Sequence, residues 1–278
     1  MDVQAYLDRI GWRGDVAPSA ANLAALVRAH RGSIPYETLD LWHGRRTTLD
    51  QDALFDKLVT RRRGGYCFEL NGLFAALLRE LGYEVREYAG RWLRNNLTRP
   101  VPRRCHRVVC VRTGNEGPAQ IADAGIGLPF LFAPLDVVLD RPQFQDGRFY
   151  RVVRDERLGF AVEVACADGT WQRLMSFDAA PSEPIDFEYP HWWCQTHPDS
   201  VFHRGFRAFR LTDGGGWKSI EGGVPQKGGP FSVALIRHSP DGVEQRTSLP
   251  DDVSLKGALV AEFGIDFPDF SIDGERLT

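Results

Sequence analysis

Arg62-Arg63-Gly64-Gly65-Tyr66-Cys67-Phe68-Glu69-Leu70-Asn71, running on to Gly82, is the stretch on which the reading of this chain turns. Leu70, Leu73, Phe74, Leu77, Leu78 and Leu81 repeat at the i, i+3, i+4, i+7 spacing of a helix with one buried face, and Gly82 stops it. Cys67 stands where that helix begins. The first N–H groups of a helix lack intrahelical partners and carry partial positive charge, which favours thiolate over thiol. Gly64 and Gly65 let another backbone or a substrate approach closely. The plain alternative is a small hydrophobe buried at a helix start.

Helical pattern fills the chain before this stretch. Val3, Tyr6, Leu7 and Ile10 share a face that ends at Gly11, and Ser19 caps a helix carrying Leu23, Leu26 and Val27. Thr48 and Gln51 form a capping-box pattern ahead of Leu54, Phe55, Leu58 and Val59. After Gly82 the texture changes to short β-like runs at 84–93, 106–113, 119–123, 149–153, 161–165 and 171–176, separated by Pro, Gly, Asn and Asp. Two more runs lie at 206–211 and 231–238, a final helix at 253–263, and glycine-rich loops at 214–216 and 222–229. Helices first and strands afterwards predict an α+β fold. The expected division is a helical bundle over 1–83 carrying Cys67, a β-rich domain over 84–190 and a smaller α/β segment over 191–278.

The 278 residues hold 34 basic and 37 acidic side chains, a net charge of −3, which gives no electrostatic case for a nucleic-acid partner. Hydrophobic residues at 43% and charged residues at 26% exclude wholesale disorder. No run approaches the roughly 18 apolar residues of a membrane span, and no signal peptide is visible. The five cysteines, Cys67, Cys105, Cys110, Cys166 and Cys194, form no Cys-x-x-Cys pair. A disulfide framework or zinc site is therefore not expected, and a reducing cytoplasm is.

A thiol at the ordinary pKa of about 8.5 needs a base at neutral pH. His106 opens the strand-like run His106-Arg107-Val108-Val109-Cys110-Val111, where alternation puts it on one face with Val108 and Cys110. Asp123 ends the next run, in Ile121-Ala122-Asp123-Ala124-Gly125. If those strands are neighbours, Asp123 can orient His106 and stabilise its imidazolium; otherwise His106 is a structural histidine and Asp123 a turn residue. Cys67, His106 and Asp123 thus come in the order of a thiol acyl-transfer site.

Together with Ile34-Pro35-Tyr36-Glu37-Thr38-Leu39-Asp40 and Thr196-His197-Pro198-Asp199-Ser200 followed by Phe202, these blocks make the chain resemble the arylamine N-acetyltransferase family. The resemblance runs to about residue 210. It implies an N-terminal helical bundle, a β-barrel-like middle domain and a C-terminal α/β lid, around a cysteine-protease-like core similar to that of transglutaminases. It further implies transfer of an acetyl group from acetyl-CoA, without a metal, to an arylamine, arylhydroxylamine or arylhydrazine. Cys67 matches the residue that carries the thioester, His106 the base and Asp123 the orienting carboxylate. Tyr36, Ile126 and Phe202 match acceptor-pocket positions, and Gly127 matches a glycine whose backbone approaches the CoA pyrophosphate. Two alternatives stand beside it: an ansamycin-type amide synthase, which keeps the fold and draws its acyl chain from a carrier protein, and, from another class, a transglutaminase-like cysteine hydrolase.

The chain departs from the family pattern at four places. Ile126 replaces an aromatic residue after Gly125, Tyr36 a phenylalanine, Cys105 a threonine or serine, and His191 an asparagine. Arg9 and Glu37 also match family positions, where a buried ion pair between them is expected. Arg63 is expected to brace the helix of Cys67. Trp192 and Trp193 fit either a core or a pocket, and His30, His43, His203 and His238 are expected at the surface.

Overall fold

The computed structural model describes residues 1–93, 101–114, 117–224 and 229–272. Its first part holds helices α1 (Val3–Arg9), α2 (Ala20–Ser33), α3 (Leu39–Trp42), α4 (Gln51–Phe55) and α5 (Cys67–Glu80), with the two-residue strand β1 (Tyr36–Glu37) ahead of α3. Ser19 caps α2 as expected, its Oγ accepting from Asn22 N. The cap of α4 is Asp50 rather than Thr48: Asp50 Oδ1 accepts from Ala53 N, while Thr48 Oγ1 accepts from Asp50 N, two residues too early to cap the helix. Tyr6, Leu23, Leu26, Leu54, Leu58, Leu73, Phe74 and Leu77 close the helices around one core. His30 belongs to that core and not to the surface. It is fully buried, hydrogen-bonded to the Tyr6 hydroxyl at 2.7 Å and edge-on to Phe74; burial, with Arg9 and Arg31 nearby, pulls its pKa down to about 3, so it stays neutral.

The middle of the chain forms β2 (Glu84–Trp92), β3 (His106–Arg112), β4 (Gln120–Ile121), β5 (Leu135–Asp136), β6 (Gln143–Gln145), β7 (Arg148–Asp155), β8 (Gly159–Ala165) and β9 (Trp171–Phe177). They make one antiparallel sheet in the order β5-β4-β3-β2-β9-β8-β7-β6. The sheet curls until β5 lies against β7, and Val108, Cys110, Ile121, Leu135, Val152, Val162 and Met175 fill its inside. Helix α6 (Glu188–Thr196) follows. Then β10 (Gly205–Leu211), β11 (Trp217–Gly223), β12 (Ser232–His238) and β13 (Glu244–Ser248) form a second antiparallel sheet in the order β1-β10-β11-β12-β13. Helix α7 (Asp252–Ala258), prolonged by a π turn, buries Leu255, Leu259 and Phe263 against it.

Two differences from the sequence reading have local causes, and one helix lies where that reading placed no element. The run at 119–123 pairs as a strand only at Gln120–Ile121, because the N–H groups of Ala124 and Gly125 turn to Asn71. Strand β11 takes in Gly222 and Gly223, expected as loop, because a side chain at Gly222 would meet the Phe206 ring at 2.3 Å; residues 225–228 of that expected loop lie outside the described residues. Helix α6 tolerates Pro190 near its start, where a missing N–H costs no intrahelical bond.

Candidate active site

The site is built on the start of α5. Glu69 Oε2 reaches back to accept from Tyr66 N at 3.1 Å, fixing the turn into the helix. Its other oxygen takes Lys57 Nζ at 2.7 Å; Lys57 also meets Asp40 at 2.8 Å, and Arg63 joins Asp40 (3.2 Å) to Glu37 (2.6 Å). All five side chains are buried. Burial pushes the Glu69 carboxyl up, whereas at Asp40 the two cations overcome burial and hold it low. The Arg9–Glu37 pair expected from sequence does not form: Arg9 donates to the carbonyls of Leu58, Ser33 and Arg62, and Glu37 takes Arg63 instead. Arg63 therefore braces the segment, as expected. Arg63→Met should lower stability by about 3–5 kcal/mol, since it leaves Glu37 and Asp40 buried with less compensation. A thermal-unfolding midpoint equal to the parent's would contradict this.

Cys67 is 3% exposed, and its Sγ lies 3.6 Å from the Cys105 carbonyl oxygen. His106, the first residue of β3, is fully buried, and its Nε2 donates to Asp123 Oδ2 at 2.6 Å. Burial disfavours a charged ring. The charge and hydrogen bond of Asp123, with a contribution from Cys67, outweigh it and push His106 up to about 10. His106 Nδ1 has no partner in hydrogen-bond geometry, so the contact with Cys67 is felt without being a closed hydrogen bond, as is common before substrate arrives. Trp92 packs on the imidazole with ring centroids 5.2 Å apart.

Asn71, one turn into α5, was not singled out by sequence reasoning. Its Nδ2 donates to Asp123 Oδ1 at 2.7 Å and to the Arg107 carbonyl, while its Oδ1 accepts from Ala124 N and Gly125 N. Gly125 is required there, since a Cβ would lie 2.9 Å from Cys67 Cα. Arg31 on α2, also missed, donates to the carbonyls of Ile126, Leu128, Phe130 and Leu131 and pins the loop that follows. Only the position of Asn71, four residues beyond Cys67 on the same helix face, offered a signal for it.

Tyr36, Cys105, Trp193 and Phe202 are half-buried around Cys67. Phe202 stands edge-on to Tyr66, whose hydroxyl bonds His191 Nδ1; His191 Nε2 in turn bonds the Thr47 carbonyl. Trp193 packs here with Arg103 over its ring, whereas Trp192 is 52% exposed. Ile126 is 1% exposed and packs into the core of the curled sheet. Gly127 faces Tyr36, whose ring occupies the space a Cβ would take, and its carbonyl accepts from Arg207 at 3.3 Å. Among the described residues no group of three or more metal-ligating side chains gathers, and no helix is long and apolar enough to cross a membrane.

A helical bundle starts the helix of Cys67 beside a histidine–carboxylate pair on a curled antiparallel sheet, and the comparisons specify the family. Residues 19–270 match the family model described as N-acetyltransferase. The chain is 34% identical over 277 residues to the arylamine N-acetyltransferase of Mycolicibacterium smegmatis, covering 98% of this chain and 94% of that one. It superposes on the Mycobacterium marinum arylamine N-acetyltransferase with a TM-score of 0.83 at 34% identity, covering 95% and 93% of the two chains. The same Mycobacterium marinum enzyme solved in complex with CoA gives 0.81 at 32% identity and the same coverage. The chain belongs to the arylamine N-acetyltransferase family, a family of acyltransferases. These matches favour acetyl transfer over the amide-synthase and hydrolase alternatives.

Proposed function

We propose that this protein acts in the cytoplasm and moves an acetyl group from acetyl-CoA to a small aromatic amine or hydrazine by a two-step, ping-pong route through Cys67. The observation that carries the reading is the buried His106–Asp123 pair beside a cysteine at a helix start. In the first step the Cys67 sulfur attacks the thioester carbonyl and the CoA sulfur leaves, taking a proton from the His106 imidazolium. In the second, the acceptor nitrogen attacks acetyl-Cys67 while His106 collects its proton and the Cys67 sulfur departs. Asp123, held by Asn71 and Gly125 N, keeps the ring oriented throughout. An aromatic amine suits the opening because its nitrogen is neutral at pH 7 and its ring can pack on Tyr36 and Phe202. The CoA complex of a similar enzyme supports the donor, and Gly127 is assigned to the pyrophosphate through its backbone. The test is incubation with acetyl-CoA, then intact mass and a tryptic map; no acetyl adduct on residues 64–79 would refute the reading.

Ile126 stands where the family carries an aromatic residue, and we assign to it the width of the acceptor site. An aromatic contact is worth about 0.5–1.5 kcal/mol beyond area burial, or roughly two- to twelvefold in specificity. Ile126→Phe should raise kcat/KM for small arylamines within that range and leave acetylation of Cys67 nearly unchanged. Because Ile126 packs into a core, the larger ring should also cost about 1–3 kcal/mol of stability. Paired kinetics and thermal unfolding decide it: an unchanged acceptor preference would mean that position 126 serves the core alone.

A further inference from the structure

Arg31 carries a buried charge to which the acyl transfer described above gives no part. It stands in the last turn of α2, and among the described residues it makes no ion pair. Its donors go to main-chain carbonyls instead. Nη1 donates to Phe130 O at 3.1 Å and Leu131 O at 2.6 Å, and Nη2 to Ile126 O at 3.1 Å and Leu128 O at 3.0 Å. The rings of Phe132 and Phe209 lie 5.5 and 5.9 Å from its Cζ. Burial pulls the guanidinium down to about 10, which leaves it charged at neutral pH. A cation taken out of water without a counter-ion is costly.

The loop that Arg31 holds is the one assigned above to CoA. Gly127 O accepts from Arg207 Nη1 at 3.3 Å, so the successive carbonyls of Ile126, Gly127 and Leu128 all end on arginines. In a trans peptide the N–H points opposite to the carbonyl. The N–H of Gly127 is therefore turned away from Arg31, and that of Leu128 away from Arg207. Among the described residues neither N–H has an acceptor, although Gly127 is buried. Successive free N–H groups are ready donors to the oxygens of an anion. We propose that Arg31 is a positioning residue for the acyl donor: it draws the carbonyls of this loop inward, presents the N–H groups of Gly127 and Leu128 to a pyrophosphate, and adds its own unpaired charge to the attraction.

This rests on acetyl-CoA being the donor. Arg207 also holds the loop, but Glu221 at 3.0 Å neutralises it. The reacting pair does not lean on Arg31, because Asn71 and Gly125 N hold Asp123, and Asp123 holds His106. Loss of Arg31 is therefore felt by a donor that carries a pyrophosphate and not by one that lacks it. Lysine is no substitute. Its ammonium is a point charge with three donors, whereas the planar guanidinium serves four carbonyls from one fixed fork.

The experiment compares acylation of Cys67 in the full-length chain by two thioesters. One is acetyl-CoA. The other is S-acetyl-N-acetylcysteamine, which keeps the acetyl thioester and the neighbouring amide but has no pyrophosphate. Arg31→Lys should lower kcat/KM for acylation by acetyl-CoA about tenfold or more, through KM, and leave the truncated donor within about twofold of the parent. Arg31→Gln, which also removes the charge, should lower the acetyl-CoA value further. The ratio of the two donors cancels any loss of folded protein. A ratio equal to the parent's in both variants would make Arg31 a support of the core alone and overturn the proposal. Hydrogen exchange in the unsubstituted chain decides even if neither variant folds. Unreactive desulfo-CoA should slow exchange of the Gly127 and Leu128 amides, and unchanged exchange there would overturn the proposal too. A parent chain that neither thioester acetylates would refute the Cys67 route, while the exchange measurement would still decide the loop.

Discussion

Asp123→Asn should slow acylation of Cys67 by roughly a thousandfold or more while the protein stays folded. The reason lies in the partners of the carboxylate. Asp123 Oδ1 accepts from both Asn71 Nδ2 and Gly125 N, and Oδ2 accepts from His106 Nε2. An asparagine that keeps its oxygen on the two donors must turn its NH₂ toward His106. The imidazole then has to offer a lone pair at Nε2 and carry its proton on Nδ1, which leaves no free nitrogen to act as a base toward Cys67. Burial, no longer opposed by the Asp123 charge, should also drop the ring well below the value of about 10 it holds in the parent. The imidazolium beside Cys67 should persist in the parent across pH 6–9 and be lost in the variant over that window. The rate of Cys67 alkylation by iodoacetamide should accordingly fall far more steeply toward pH 6 in the variant. A variant that acylates at the parent rate would reduce Asp123 to a turn residue.

Cys67→Ala should abolish both the acetyl adduct and turnover, at a stability cost of about 1 kcal/mol. No other thiol has the same equipment. Cys110 points into the curled sheet, where burial and the Asp123 charge push it up to about 12. Cys194 is fully buried, and Cys166, just past β8, is outside the cluster around Cys67. Cys105 is the one rival with an exposed side, so the digest must separate the 64–79 peptide from the 105–107 peptide. Acetylation that survives in Cys67→Ala and maps to Cys105 would move the nucleophile by one strand and sink the proposed route.

Local signals in the sequence carried a large share of this. The leucine and phenylalanine period from Leu70 to Leu81 was enough to start α5 at Cys67, because helical spacing is a property of neighbouring residues. The glycines before it and the alternation after His106 are equally local. The family blocks added the roles proposed for Cys67, His106 and Asp123, and the structure brings Asp123 onto His106 within hydrogen-bond reach.

What the sequence by itself determined, then, is which segments are helix or strand where one face is apolar, and which residue types open them. Only the tertiary structure decided which polar groups meet. It gave Glu37 to Arg63 rather than Arg9, put His30 in a core, joined Asn71 to Asp123 and tied Arg31 to the loop beyond it. It also made a strand of 217–223, where Gly222 is needed by a ring from the neighbouring strand. Apolar burial leaves a period because it acts on a whole face of an element. A buried polar group needs one specific partner, often distant in the chain, and no local pattern records which one.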